Sequence, residues 1–495
     1  AFFYLHRWDE KAIWRRSDLM FSSPPDGNLL DEGVIWRTPT THYVKKWLSL
    51  LLVLAGAVLV LGCQTPEVIR DVREFPQDHF FYLAAGSPDR PLAEYTWQEE
   101  RERLYLQNFF LPWRQETTRF PVVEREAAWR KIMVASGNRG PCNRHCRRRL
   151  RRAVSNAGLD NYPNASWKGI TVTAIDLRHL PLSLPSVVSG SGRPETGKGI
   201  FLDRLQVSAV APGTPVHVSH ISRDRAWVMV ETGFAVGWTQ RKGLAAVSAD
   251  FINLWERGPQ VAIIRDKLPL YDAAGGFLYR VPLGSTFPLA AAAGEKLEIH
   301  VPVRDRGGNA QVRRVVLEKG TAALRPLPLT TGNLARLANE LLGDPYGWGG
   351  RNNRRDCSSL IRDLYSPFGI WLPRHSADQA REGGRYVDLS GLANGEKKQA
   401  IMAQGVPYLT LLWLKGHIMI YIGFRNGEPL VFHNFLTIKT MNDAGRFGKK
   451  IVGRASITTL YPGREFQGAA DPDGPYLAPL RGMTLIGPPA PASGG

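Results

Sequence analysis

The chain has 495 residues, enough for three or four domains and ample core. Its hydrophobic content of 43% is ordinary for globular protein, and four cysteines are too few for a disulfide scaffold. A formal net charge of +18 invites a nucleic-acid reading, yet no nucleic-acid motif is present, and no HExxH or paired CxxC suggests a metal.

Residues 1–44 begin with Ala1 and stand ahead of a basic and then apolar segment; they are expected to be upstream or non-native translation. Lys45-Lys46-Trp47 leads into the run Leu48–Gly62, which is short for a membrane span and stops at Cys63. Residues 45–62 resemble a bacterial lipoprotein signal, with Val60-Leu61-Gly62-Cys63 as its lipobox. The resemblance implies an exported chain held to a membrane by lipid on Cys63. A plain signal peptide or a signal anchor is the alternative. In a cell envelope the basic charge would meet the anionic wall or lipid head groups.

Residues 63–165 carry helical patterns, at Tyr95–Phe110 and Pro121–Ala135, with Trp113 and Trp129 helping to bury one face. The segment holds Cys142 and Cys146 around His145, followed by an arginine cluster through Arg152. A C-x3-C without a second ligand pair favours a local disulfide over metal, and the arginines are expected on a solvated helix face. Residues 166–250 change to short strands with Gly and Pro turns: Pro215–His220, Ala226–Thr232 and Phe234–Trp238. They look like a small SH3-type barrel, and residues 251–326 read as a second one. Pro326–Thr331 is the expected linker into a last domain at 327–465. The Pro, Gly and Ala-rich tail at 466–495 is expected to be poorly ordered.

The last domain carries the chemistry. In Trp348–Tyr365 a glycine-rich loop delivers Asp356, a good N-cap type, and then Cys357 to the start of a helix. Leu360, Ile361, Leu364 and Tyr365 mark its buried face. The helix dipole there is expected to lower the thiol pKa and favour thiolate. His417 opens an alternating strand and is the candidate base. A second strand, Leu430–Asn434, follows Asn426-Gly427 as its hairpin partner. The third member of a triad is then His433 or Asn434. A two-residue turn places Asn434 on the face of His417, and an odd-length loop places His433 there. Pro429 and the polar run leave room for a longer loop, so parity alone decides only weakly.

Leu334 to Tyr461 resembles the NlpC family of cell-wall cysteine endopeptidases. The matching pieces are Tyr346-Gly-Trp-Gly-Gly350, Asp356-Cys-Ser358, Leu372-Pro-Arg-His-Ser-Ala-Asp-Gln379, Gly416-His417 and Phe432-His-Asn434. The resemblance implies a multidomain α+β chain: a papain-like cysteine peptidase core at the C-terminus, preceded by two SH3-like β-barrels and an N-terminal helical domain. It implies catalysis by Cys357, His417 and His433, with Tyr346, Ser358, Arg374 and Ser376 as substrate-binding candidates. It implies hydrolysis of the γ-D-glutamyl to diamino-acid bond in peptidoglycan stem peptides, outside the cytoplasm, without metal or cofactor and without nucleic acid. Where the family often has Asp or Asn after the arginine, this chain has His375, which cannot replace a carboxylate in holding an ammonium group. Either another acid serves, or selectivity for a free amino end is relaxed. An inactive wall-binding scaffold and an acyl transferase are the competing readings of the same fold.

Overall fold

The computed structural model describes residues 68–83, 89–119, 144–184, 187–189, 201–441, 447–466 and 474–488. Residues 1–44, the 45–62 signal, Cys63, Cys142 and the Pro121–Ala135 helix with Trp129 lie outside the described residues. Among the described residues no helix is long and apolar enough to cross a membrane.

The first long helix runs Tyr95–Arg114, one turn beyond the expected end. Gln98, Glu102, Tyr105, Phe109 and Trp113 recur every three or four residues and all are buried. Their polar atoms tie three parts of the chain together. Trp113 Nε1 donates to the Gly169 carbonyl of the first barrel at 2.7 Å. Glu102 accepts from Arg325 Nε and Nη2, at the end of the second barrel, at 3.0 and 2.9 Å. Gln98 Nε2 donates to the Leu327 and Phe368 carbonyls, and the Tyr105 hydroxyl lies 2.7 Å from Ser366 Oγ. A second helix, Arg144–Ala157, exposes Arg147, Arg148, Arg151 and Arg152 while burying Leu150, Ala153 and Ala157. Cys146 is disulfide-bonded.

The first barrel is a seven-stranded sheet in the spatial order 206–210, 175–178, 236–240, 227–231, 215–221, 167–171 and 244–246. After the short helix Ala249–Glu256, a five-stranded sheet and the hairpin Leu268–Tyr271 with Phe277–Val281 make the second barrel.

The C-terminal domain is a six-stranded antiparallel sheet. Its spatial order is Arg385–Asp388, Leu480–Leu485, Thr410–Leu414, His417–Arg425, Glu428–Met441 and Phe447–Thr459. The Cys357–Tyr365 helix packs on the face carrying Ile418, Ile420, Ile422 and Phe432. The opposite face buries Met419, Tyr421, Val431 and Phe435 with Ile401.

The tail expectation is overturned. Leu480–Leu485 is an interior strand, paired with Thr410–Leu414 on one side and Arg385–Asp388 on the other. Composition misled because the flanks are rich in Pro, Gly and Ala. The strand itself buries Leu480, Met483 and Thr484, with Ile486 following. Met483 is fully buried among residues of three other strands. Met483→Ala is therefore expected to cost about 2–5 kcal/mol, the usual range for emptying such a position. A lowered urea midpoint with an unchanged slope would show it.

Candidate active site

Asp356 ends the glycine loop and caps the helix that begins at Cys357. Its Oδ1 accepts the Ser359 N–H at 2.9 Å, and Ser359 Oγ accepts the Asp356 N–H at 2.9 Å, a closed capping box. Arg374 grips the same carboxylate: Nη2 meets Oδ2 at 2.7 Å and Nη1 meets Oδ1 at 3.2 Å. Gly349 N–H adds a bond to Oδ2 at 3.1 Å. Burial alone would raise the Asp356 carboxyl, but the charge and hydrogen bonds of Arg374 outweigh it and hold the group at about 2.

This changes the standing of two expected substrate contacts. Arg374 and Ser358 are both buried. Ser358 Oγ accepts from Arg374 Nη1 at 2.9 Å and donates to Asp356 Oδ1 at 3.2 Å. Both side chains are thus spent on the helix end. Buried Gln379, which received no separate role in the motif reading, donates to the Ser358 and Pro373 carbonyls, each at 2.8 Å. Tyr346 is half-buried; burial first and then the Cys357 charge push its hydroxyl pKa up. Ser376 is half-buried at the start of the helix Ser376–Glu382, and His375 is exposed just before it.

His417 opens its strand, as expected, and the hairpin turn is Asn426-Gly427 with φ of 52° and 75°. The turn has two residues, so the longer-loop alternative fails. By parity Asn434 should then share the face of His417. A β-bulge at Ile422 reverses this: Gly423 pairs with Leu430, but Tyr421 pairs with Val431. Carrying the register onward from Ile420–Phe432 sets His433 opposite Met419, on His417's face. Gly423 has φ of 126° at the bulge, which only glycine tolerates easily. Asn434 points to the other face and donates to the Asp344 and Arg355 carbonyls at 3.2 and 3.0 Å.

The hydrogen bonds run in one direction. Thr458 Oγ1 donates to the Thr459 carbonyl at 2.8 Å, so it accepts from His433 Nε2 at 3.0 Å. His433 Nδ1 is then an acceptor, and His417 Nε2 donates to it at 2.7 Å. Burial keeps both rings neutral, His417 at about 4 and His433 well below its ordinary value. The network therefore assigns the remaining lone pair of the base to His417 Nδ1. Tyr476, from the tail segment, stacks on His417 with ring centres 5.3 Å apart and meets His433 edge-on at the same distance. Neither Thr458 nor Tyr476 was singled out from the sequence. Thr458 shares a face with His433 across the next strand pair, but Tyr476 sits beyond the Gly and Pro-rich stretch that obscured the last strand.

Cys357 is buried, and its thiolate form is favoured by the backbone N–H of Ile418, the residue after His417. The thiolate expectation is nevertheless overturned. Burial first and the Asp356 carboxylate second push the thiol up to about 12. A helix terminus contributes at most about 2 kcal/mol, whereas full burial can move a pKa by about 3–5 units. Burial wins, and the Cys357 thiol and the His417 imidazole are each held neutral. Among the described residues no three His, Cys, Asp or Glu side chains gather as a metal site.

Comparison with known proteins gives four matches along the chain. The family models matched are the NLPC_P60 stabilising N-terminal domain at 46–162, an SH3 domain of SH3b1 type at 193–240, an SH3 domain of SH3b2 type at 248–293 and the NlpC/P60 family at 343–447. The chain thus carries an NlpC/P60 domain behind two SH3b domains and an N-terminal helical region. No curated protein matches it. Among solved structures it resembles an NlpC/P60 endopeptidase from Photobacterium damselae subsp. piscicida, with 25% identity and a TM-score of 0.72, over 85% of this chain and 99% of that one. An NlpC/P60 family protein from Bacillus cereus aligns at 19% identity and a TM-score of 0.42, over 65% of this chain and 100% of that one.

A neutral resting thiol has a measurable consequence. The Cys357 pKa is raised, so thiolate grows only as pH climbs toward the folded value. Alkylation of Cys357 by iodoacetamide should still be rising at about pH 9, with mass spectrometry locating the adduct. A rate already level from about pH 5 upward would show a resting ion pair instead.

Proposed function

We propose that this chain, with its NlpC/P60 domain, is an exported peptidoglycan hydrolase that cuts the γ-D-glutamyl to diamino-acid bond of stem peptides. The observation that carries the reading is the directed chain Thr458–His433–His417 ending in a free imidazole lone pair next to the Cys357 strand contact. Such an arrangement suits nucleophilic acyl transfer.

In this reading the substrate carbonyl enters beside Cys357 and Tyr346. The thiol proton moves to His417 Nδ1 as sulfur bonds to the carbonyl carbon, and the carbonyl oxygen takes up the negative charge. The Cys357 backbone N–H, at the start of the helix, is the donor for that oxygen, since the Ser359 N–H is already taken by Asp356. Imidazolium on His417 is steadied because its Nε2–H already points at the neutral acceptor His433 Nδ1. His417 then protonates the leaving amine as the C–N bond breaks, leaving a thioester on Cys357. Water gives a proton to His417, attacks the thioester and releases the acid, and the thiol regains its proton. Ser358 and Arg374 act by holding Asp356 and the helix end. Ser376 and Tyr346 remain as groups for the substrate.

The docked first barrel favours small stem peptides over intact wall. Its strand 206–210 packs on the loop before Cys357: Gln206 Nε2 donates to the Gly349 carbonyl at 3.3 Å, and Arg351 pairs with Asp203. Any cleft on that side is narrowed by the barrel. The Lys45–Cys63 segment supports lipid attachment at Cys63 and action at the periplasmic face of a membrane.

Incubation with L-Ala-γ-D-Glu-diaminopimelate is expected to release L-Ala-D-Glu, seen by mass spectrometry, and Cys357→Ala to release none. Cleavage of intact peptidoglycan alone would reverse the size preference; inertness on both would favour a binding scaffold. Among the third-member variants, His433→Ala is expected to lower kcat by about 100-fold or more, the scale of a lost acid–base arrangement. Asn434→Ala is expected to act mainly on thermal stability, because Asn434 braces backbone on the opposite face. The reverse ranking in kcat would move the role to Asn434.

A further inference from the structure

We infer that Ser208 of the first barrel is a positioning residue for Cys357, so that docking of the barrel is part of how the nucleophile is prepared. The inference rests on the reading of Cys357 as nucleophile and goes beyond it, because the residue belongs to a different domain.

Arg374 Nε donates to Ser208 Oγ at 2.8 Å, across the boundary between the two domains. Both side chains are buried, Ser208 at 1% exposure and Arg374 at 3%. Ser208 Oγ donates its own proton to the Ala209 carbonyl at 2.9 Å, which leaves its lone pairs for the guanidinium. A guanidinium is planar and rigid, so fixing Nε also fixes the fork formed by Nη1 and Nη2. That fork is the pair of bonds to Asp356, with Ser358 Oγ as a further partner. Asp356 and Cys357 are adjacent, and the Asp356 carboxylate raises the thiol pKa while Arg374 lowers it. The orientation of Arg374 therefore decides how much of the Asp356 charge reaches the sulfur.

The barrel cannot drift from this position without disturbing the loop. Gly349 and Gly350 adopt φ of 62° and 77°. A Cβ on Gly349 would lie 2.6 Å from Gln206 Cγ, and one on Gly350 would lie 2.8 Å from Ala209 Cβ. The two glycines let strand 206–210 approach the loop closely enough for Ser208 to reach Arg374.

The test uses the full chain and follows both peptide cleavage and alkylation of Cys357 across pH. Ser208→Ala is expected to lower kcat and the alkylation rate at about pH 8 by about tenfold, the scale of a lost hydrogen bond to a charged group. KM should stay within about twofold, and the rise of alkylation with pH should move to higher pH. Ser208→Thr keeps the hydroxyl and should restore both rates. Unchanged rates in Ser208→Ala, or an equal loss in Ser208→Thr, would overturn the inference, the second by showing a packing effect. If Ser208→Ala does not fold, as judged by thermal melting, Ser208→Cys decides in its place, since sulfur is a poor acceptor. Cleavage that survives Cys357→Ala would instead sink the underlying reading of the nucleophile, an outcome separate from any result at Ser208.

Discussion

The buried pair between Asp356 and Arg374 is the constraint on which the site depends. Asp356 caps the helix, precedes Cys357 and receives the glycine loop, with one carboxylate holding cap and loop together. Removing either partner of such a pair would strand a charge in the interior, at a typical cost of about 3–5 kcal/mol. The pair is worth less as a source of net stability than as a source of geometry. Bidentate contact allows one orientation of the carboxylate, and the capping box then allows one orientation of the first helical turn.

The residue before it ties the site to a second neighbour. Arg355 donates to Asp266 of the second barrel at 2.7 and 3.0 Å, and also to Asp344 and Asp363. Three consecutive residues thus have three destinations: Arg355 to the second barrel, Asp356 through Arg374 to the first, and Cys357 to the start of the His417 strand. The Tyr95–Arg114 helix adds a third clamp through Glu102 and Arg325, which are likewise paired in the interior. SH3b domains placed this way act on the site as braces. Their arrangement explains why a small domain with a short helix can hold a buried, unpaired thiol in one place.

Much of this was legible in the sequence, and the failures have physical causes. The Asp-Cys helix start, its buried face and the His417 strand follow from capping chemistry and alternation, which are local. Parity along the hairpin is local only while the ladder is regular. Asn426-Gly427 correctly signals a two-residue turn, yet one extra residue at Ile422 flips every side chain beyond it, and nothing near His433 announces that. Gly423 was the available clue, since a glycine inside an alternating strand often marks a bulge. The commitment of Arg374 and Ser358 to Asp356 is a tertiary fact: the motif places them near the site without saying which way they point. The last strand was hidden by averaging composition over a segment whose informative part is Leu480–Ile486.

That last segment also accounts for the electrostatic state of the pair. Without Leu480–Leu485, the strand Thr410–Leu414 would present an unpaired edge beside His417's strand. With it, the preceding Tyr476 is brought against both histidines. Burial lowers the His417 imidazole and raises the Cys357 thiol, and so opposes charge separation between them. In the proposed reaction such a site holds its proton on sulfur until a carbonyl arrives to accept the electron pair. The positive charge then made on His417 is met by a neutral acceptor already in line, and the negative charge by the Cys357 N–H already in place. Preorganisation of this kind costs nothing at the moment of reaction, and its cost was met earlier by the barrels and the tail that close the site.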